Sequence, residues 1–474
     1  MGKRNVKTIN LTIVLAGLLG MAAPLGAFEV GPKYASPEVG LPECFDYHQQ
    51  DPAVPTELTR YWWTLFQDQE LDRLIELALS QNLDLQADLQ RIAQARAAVG
   101  QARADLFPQL AVDGLGSRGQ SLESKYREVD YGLLEGVLSY EVDLWGGVRK
   151  GTKAARYEAS AQVFQHHALR LSIAGQVAKT WVLYRATLRE EQIVSRTVDT
   201  RRDARDLIAD RVSLGTEAEY DLARADTELA TVEADLAEVR QRRKQLGNAL
   251  ALLLGKAAPG FASELAEVER LPAAPELPVA VPAEAVSARP DVAAAERQLA
   301  AAVERIGVAR AAFYPSIRLS ASGGWESGEL DDLIDDDNRI WSFAPQVYLP
   351  VFQGGRNKSR LARAQARYAE QEAQFRQTVL TALSEVQTAL DAVSLLGERE
   401  QATARAITAA RKAASLSQVR YDEGFVSYLE VVDSERTALS VERSQVALQA
   451  LKLIETISLI QSLGGGWELP TETE

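Results

Sequence analysis

The segment ARADLFPQLAVDGLGS, residues 102–117, returns as ARAAFYPSIRLSASGG, residues 309–324, 207 positions later. This duplication constrains the chain more than any other feature, because two halves of one fold must share one architecture. A period this long excludes a solenoid of short stacked units. In each copy an Ala-rich helical pattern stops at Pro108 or Pro315 and a strand pattern follows; a second strand then leads to Gly146-Gly147 or Gly354-Gly355. Helical periodicity resumes there, and the repeat is still in step at RVSLGTEAEYDL, from Arg211, and RYDEGFVSYLEV, from Arg420. The predicted plan is two strands and a very long helical hairpin, twice over.

The long helices are predicted at 149–211 and 357–420, with return helices at 216–254 and 427–463. No proline interrupts Arg149 to Arg211, and an unbroken helix of that length runs about 95 Å. Ordinary globular helices average roughly 11–12 residues, so these do not wrap a compact core. Their apolar residues step by four and three, as in a coiled coil: Phe375, Val379, Ala382, Val386, Ala389, Val393 and Leu396 in one, Ala174, Val177, Trp181, Tyr184 and Leu188 in another. Val446, Ala450, Leu453, Ile457 and Ile460 extend the pattern in the last helix.

The strands, within 109–145 and 316–353, alternate. Leu134, Leu138, Tyr140 and Val142 face one way, and Glu135, Ser139 and Glu141 the other. Ile317, Leu319, Ala321 and Trp325 oppose Arg318, Ser320 and Ser322, and Trp341, Phe343 and Val347 oppose Ser342 and Gln346. Strands of about ten residues with one apolar face span an outer membrane when tilted by about 45°. Four such strands cannot close, and an open edge in lipid leaves backbone groups unpaired at several kcal/mol each. Neighbouring chains must therefore supply closure. A dimer's eight strands fill their own interior, whereas a trimer's twelve leave a lumen. The fold class is α+β: a trimeric twelve-stranded barrel, four strands per chain, continuing into a coiled-coil helical barrel.

The N-terminus reads as an export signal over 1–27: Lys3, Arg4 and Lys7, an apolar run from Leu11 to Ala23, and a small-residue site at Ala27. That run is too short to span a bilayer, and no later apolar run matches it in length. A Pro-rich extended segment follows over 28–60. The first repeat covers 61–255, a Pro-rich linker 256–290, the second repeat 291–466, and a tail 467–474. A short helix is expected near 261–268. The net charge of −14 argues against nucleic acid as a partner. Cys44, the single cysteine, excludes an intrachain disulfide and multi-cysteine metal sites. Leu41-Pro42-Glu43 precede it instead of small residues, so the expectation is a chain held by its barrel and not by a lipid.

WWTLFQDQELDRLI, RPDVAAAERQL, the two ARAxxxP strand entries and LPVFQGGR resemble the TolC-like outer-membrane efflux proteins, in particular their NodT branch, over essentially the whole mature chain. The resemblance implies a homotrimer in the Gram-negative outer membrane whose helices tunnel into the periplasm. It also implies an adaptor protein and an inner-membrane pump of the RND type as partners, and a passive duct for small molecules. From the residues themselves, no nucleophile-base arrangement, phosphate loop or metal constellation appears, so neither an enzyme nor a cofactor is expected. It places Arg211, Leu214, Gly215 and Thr216, with Arg420, Gly424 and Phe425, at the adaptor-contacting tip. Asp221, Glu430 and Asp433 fall where the family sets acidic rings that narrow the tunnel. The family's locking arginine, two residues past the second glycine, is Val426 here, which leaves Arg420 or Tyr421 as its substitute.

Read from the residues alone, Gly215 and Gly424 suit left-handed helix ends, and Thr216 with Glu219, like Ser427 with Glu430, has capping-box spacing. Glu430 could then serve only its helix and Asp433 pair with Arg436. GLGSRG, residues 114–119, matches a dinucleotide fingerprint but leads into no helix, so its glycines are read as strand glycines. The acidic run 331–337 is read as a solvated loop, with a divalent ion as the alternative, and adjacent His166 and His167 make a poor metal pair. A protein-secretion channel and a secreted coiled-coil scaffold remain as rivals; the scaffold has no use for amphipathic strand pairs.

Overall fold

The computed structural model describes residues 28–36, 45, 60–120, 128–261, 265, 271–275, 286 and 289–465. A short 3-10 turn, Trp62–Phe66, precedes α1 (Gln69–Gln81) and α2 (Leu83–Ala104). Strands β1 (Gln109–Gln120) and β2 (Glu128–Val142) follow, then the 67-residue α3 (Gly147–Ser213) and α4 (Glu219–Leu253). The second half repeats the order: α5 (Pro290–Ala311), β3 (Ser316–Ser327), β4 (Arg339–Tyr348), the 67-residue α6 (Arg356–Asp422) and α7 (Tyr428–Ser462). At 1.5 Å per residue the two longest helices each run about 100 Å.

The chain divides into two units: Met1–Ser36, Gln94–Ser160 and Arg297–Ala373 in one, Pro37–Ala93, Ala161–Glu296 and Gln374–Glu474 in the other. The first unit holds an antiparallel sheet in the order β1-β2-β3-β4. The register joins the two halves through β2 and β3, with Leu138 opposite Ala321 and Tyr140 opposite Leu319. It also sorts the faces. Leu110, Leu138, Ala321 and Phe343 lie in one row on one face, and Val137, Ser322 and Ser342 in a row on the other. The apolar face is uncovered: Trp341 is 78% exposed and Val112 73%. Among the described residues β1 and β4 each pair along one edge only.

Where strand passes into helix, side chains fix the joint. Asp143 accepts hydrogen bonds from the amides of Val148 (3.0 Å) and Arg149 (2.9 Å), capping α3 where orphan donors need partners. Trp145 stacks on Tyr314 at 4.8 Å and donates through Nε1 to the carbonyl of Pro315, tying one half to the other. The segment 28–36 lies along this joint. Gly31, at φ +128°, sits so close to Gly307 that a Cβ on it would stand 2.7 Å from that residue's Cα. Beneath it Lys150 forms a buried 2.9 Å ion pair with Glu304.

The second unit packs around Trp62, Trp63, Phe66, Leu74, Trp181, Leu250 and Ile457. Asp68 organises its entrance. One carboxylate oxygen caps α1 through the amides of Glu70 and Leu71, and the other takes Trp181 Nε1 (3.0 Å) and the buried guanidinium of Arg185. The helical pattern of the sequence runs from Tyr61 through to Leu106, but Asn82 breaks it. Its side chain caps α2 through Asp84 and Leu85 and donates to the carbonyl of Leu253 at 2.8 Å. The predicted coiled-coil residues are buried throughout, Val393 alone being intermediate. Among the described residues one helix, Arg356–Asp422, is long and apolar enough by composition to cross a membrane, and a third of its most apolar window is buried. The short helix expected near 261–268 falls mostly outside the described residues, as do Cys44 and 1–27.

Candidate functional site

Both helical hairpins end in the same turn. Gly215 (φ +75°) and Gly424 (φ +77°) are left-handed, a conformation that glycine adopts without Cβ strain. The amide of Thr216 bonds to the carbonyl of Arg211 (2.9 Å) and that of Gly215 to Val212 (2.9 Å); Phe425 and Gly424 do the same with Arg420 (2.8 Å) and Tyr421 (2.9 Å). These are Schellman ends, which use otherwise orphaned carbonyls. The capping boxes do not form. Thr216 Oγ1 donates to the carbonyl of Arg211 at 3.0 Å instead, the cap of α4 is Ala218, and Ser427 caps α7 without a side-chain bond. Once Thr216 closes the outgoing helix, it is not free to open the returning one.

The turns project apolar side chains into solvent: Leu214 is 77% exposed and Phe425 72%, with Tyr220 and Leu429 beside them in sequence and also exposed. Behind them lies a small core of Ile208, Ala225, Tyr421, Tyr428, Val431 and Val432. Arg211 caps this core. Its Nη1 donates to the Tyr421 hydroxyl at 3.1 Å, and its guanidinium lies 5.4 Å from that ring's centre. Burial, with Glu217 nearby, pushes the Tyr421 phenol up, and Arg211 pulls the other way.

Among the acidic candidates, Glu430 accepts from Arg420 Nη1 at 2.8 Å, both side chains half-exposed. Asp433 is exposed and Asp221 partly so, and among the described residues neither has an ion-pair partner. Arg436, expected for Asp433, pairs with Glu228 of α4 instead. Thus Arg420 and Tyr421 each hold a tie, the first within the second hairpin and the second across to Arg211.

Two contributors escaped the sequence reading. Arg201 on α3, 3% exposed, reaches Glu435 on α7 at 2.8 Å. Both stand in coiled-coil seams: Val194, Val198, Arg201 and Ile208 step along one, Tyr428, Val432, Glu435 and Leu439 along the other. A charge at a seam position was the available signal.

Elsewhere, His166 Nδ1 lies 3.1 Å from Asp88, an ordinary buried pair, while burial holds the neighbouring His167 down at about 4. The acidic loop folds into two 3-10 turns, Leu330–Asp332 and Asp336–Asn338, with Asp336 paired to Arg339. Among the described residues no group of three or more His, Cys, Asp and Glu gathers as metal ligands would.

An uncovered apolar sheet face and tip-bearing hairpins in duplicate agree with what known proteins show. The family model for outer membrane efflux protein matches residues 74–256 and 281–465. The chain belongs to this family. It is 31% identical to outer membrane protein OprJ of Pseudomonas aeruginosa, over 94% of this chain and 95% of OprJ. The solved open state of the Neisseria gonorrhoeae MtrE outer membrane channel superposes with a TM-score of 0.82 at 29% identity, covering 92% of this chain and 98% of that one. One expectation is corrected. "Probable outer membrane lipoprotein SilC" of Salmonella typhimurium is 28% identical over 98% of this chain and all of its own length. A lipoprotein this similar from end to end overturns the inference, drawn from the residues before Cys44, that the barrel alone holds the chain.

Proposed function

We propose that the chain is the outer-membrane exit duct of a tripartite efflux system, conducting small molecules passively and performing no catalysis. The observation that carries this is the four-stranded sheet, bare on its apolar face and, among the described residues, unpaired at both outer edges, joined to helices of 67 residues. Lipid suits the bare face, and three chains pair the open edges into twelve strands, with the face that bears Glu135, Ser139, Ser322 and Ser342 turned to a lumen. The export signal at 1–27 and the linker at 256–290 complete the plan.

The tip is the gate. Three copies each of Asp221, Glu430 and Asp433 gather about the axis, attracting cations and opposing tight closure. Arg420 and Tyr421 steady them, and the exposed turns at Leu214, Gly215, Thr216, Gly424 and Phe425, with Arg211 behind, receive the adaptor that opens them for the inner-membrane pump. The test is single-channel recording of the purified protein in a planar bilayer. Discrete cation-selective steps are expected, with the preference weakened by Asp221→Ala, Glu430→Ala and Asp433→Ala; a protein that never conducts refutes the duct.

A further inference from the structure

Several ion pairs that link the helices of the second unit have an exposed arginine. Arg202–Glu233 is 50% and 47% exposed at its two side chains, and Arg411–Glu442 is 62% and 24%. Arg201 has 3% of its side chain exposed and its partner Glu435 28%; the other buried arginines of this unit, Arg185 on Asp68 and Arg289 on Asp291 and Glu385, do not join one hairpin to the other. Arg201 sits on α3 about four turns from Gly215, and its partner Glu435 on α7 about three turns from Gly424. The contact therefore joins the first hairpin to the second. Below it the same stripe of α3 continues through Ile208, packed with Val431 and Val432, to Arg211 on Tyr421. A polar link and an apolar step to α7, then a second polar link to α6, thus run down α3.

Charges at seam positions weaken a coiled coil relative to apolar residues, and their best-attested use is to fix a register or a switch. Arg201 meets Glu435 on α7, and its charge opposes the lift that burial gives the phenol of Tyr428, two turns away on the same helix. Sliding α7 along α3 or turning it away separates all of them at once.

We propose that Arg201, buried on α3, and Glu435 form a latch between the hairpins, a pair of positioning residues that hold the aperture's register and must part for it to open. This rests on the duct reading and adds residues to its gate. The pair acts through register and touches no passing molecule.

The latch has a titration signature. The charged and titratable groups facing Glu435 are Arg201 from α3 and Tyr428 on its own helix, while Glu228 of α4 faces Tyr428 and is held by Arg436. Burial lifts the Glu435 carboxyl above the usual carboxylate range, and Arg201 opposes the lift. Without Arg201 the ionised carboxylate is left partly buried and unpaired and resists closure, and protonation relieves it. Replacing both partners by apolar residues removes the conflict altogether.

The experiment records full-length trimers in planar bilayers near pH 7.5 and near pH 5, with trimer mass checked in detergent. Arg201→Met is expected to be open roughly tenfold more often than the parent at the higher pH, and to approach it at the lower. Arg201→Met with Glu435→Met is expected to match the parent at both. A single variant indistinguishable from the parent at both pH values overturns the latch, as does a double variant as open as the single. Arg201→Gln, judged by the same two criteria, replaces Arg201→Met if the latter yields no trimer. A parent that never conducts defeats the duct itself. Cation selectivity that follows Asp221, Glu430 and Asp433 while Arg201→Met changes nothing defeats the latch alone.

Discussion

Ala321 and Ser322 are neighbours in β3 whose side chains meet opposite surroundings, so arginine at each tests the face assignment within one residue. Ala321 lies in the row between Leu138 and Phe343, on the face given to lipid. Ser322 lies between Val137 and Ser342, its hydroxyl 3.0 Å from that of Ser342. Arginine on the lipid face near the bilayer midplane costs about 2–4 kcal/mol per chain, hence about 6–12 kcal/mol for a ring of three. At position 322 it forfeits one hydroxyl pair, about 1 kcal/mol, and then stands in lumen water. The assay is the fraction of unheated membrane protein migrating as trimer on a gel, with a urea midpoint on purified protein in vesicles. Ala321→Arg is expected to abolish the trimer and Ser322→Arg to leave most of it. Equal loss refutes the sorting of faces, and greater loss at 322 shows that they are reversed.

Two other perturbations test smaller pieces. Gly424→Ala, forced to keep φ near +77°, is expected to cost about 1–2 kcal/mol at the turn, speeding hydrogen exchange of the Phe425 amide about tenfold or more; unchanged exchange there would argue against the Schellman end. His167, held at about 4 by burial and then by His166 and nearby arginines, stays neutral in the fold at pH values where an unfolded chain takes up its proton. Its depressed value means that stability is intact above about 6.5 and falls away as the pH drops toward 4, so His167→Gln should flatten that limb of a denaturation profile.

The period-3.5 seams and the alternating strands were legible because each pattern is imposed by a geometry that repeats: residues such as Val379, Ala382 and Val386 return to one line only in a coiled coil. The break at Asn82 was not. Asparagine is compatible with a continuing helical pattern, and what selects the break is a carbonyl 171 residues away. The capping boxes failed because a four-residue spacing says nothing of which helix end a hydroxyl serves, and Thr216 was already engaged by Arg211. The tip residues were placed by resemblance. Their ties, Arg211 to Tyr421 and Arg201 to Glu435, cross between hairpins and depend on how two seams meet.

The unpaired outer edges of β1 and β4 bear on heredity. If a ring closes only when every chain offers two sound edges, a copy with one spoiled edge is a poison and not merely a loss. Mixed at equal dose with normal chains, it leaves only about one ring in eight free of it. Mutations that spoil an outer edge of those two strands should therefore be dominant, and mutations in the inner pair, β2 and β3, that prevent a chain from forming its sheet at all should be recessive.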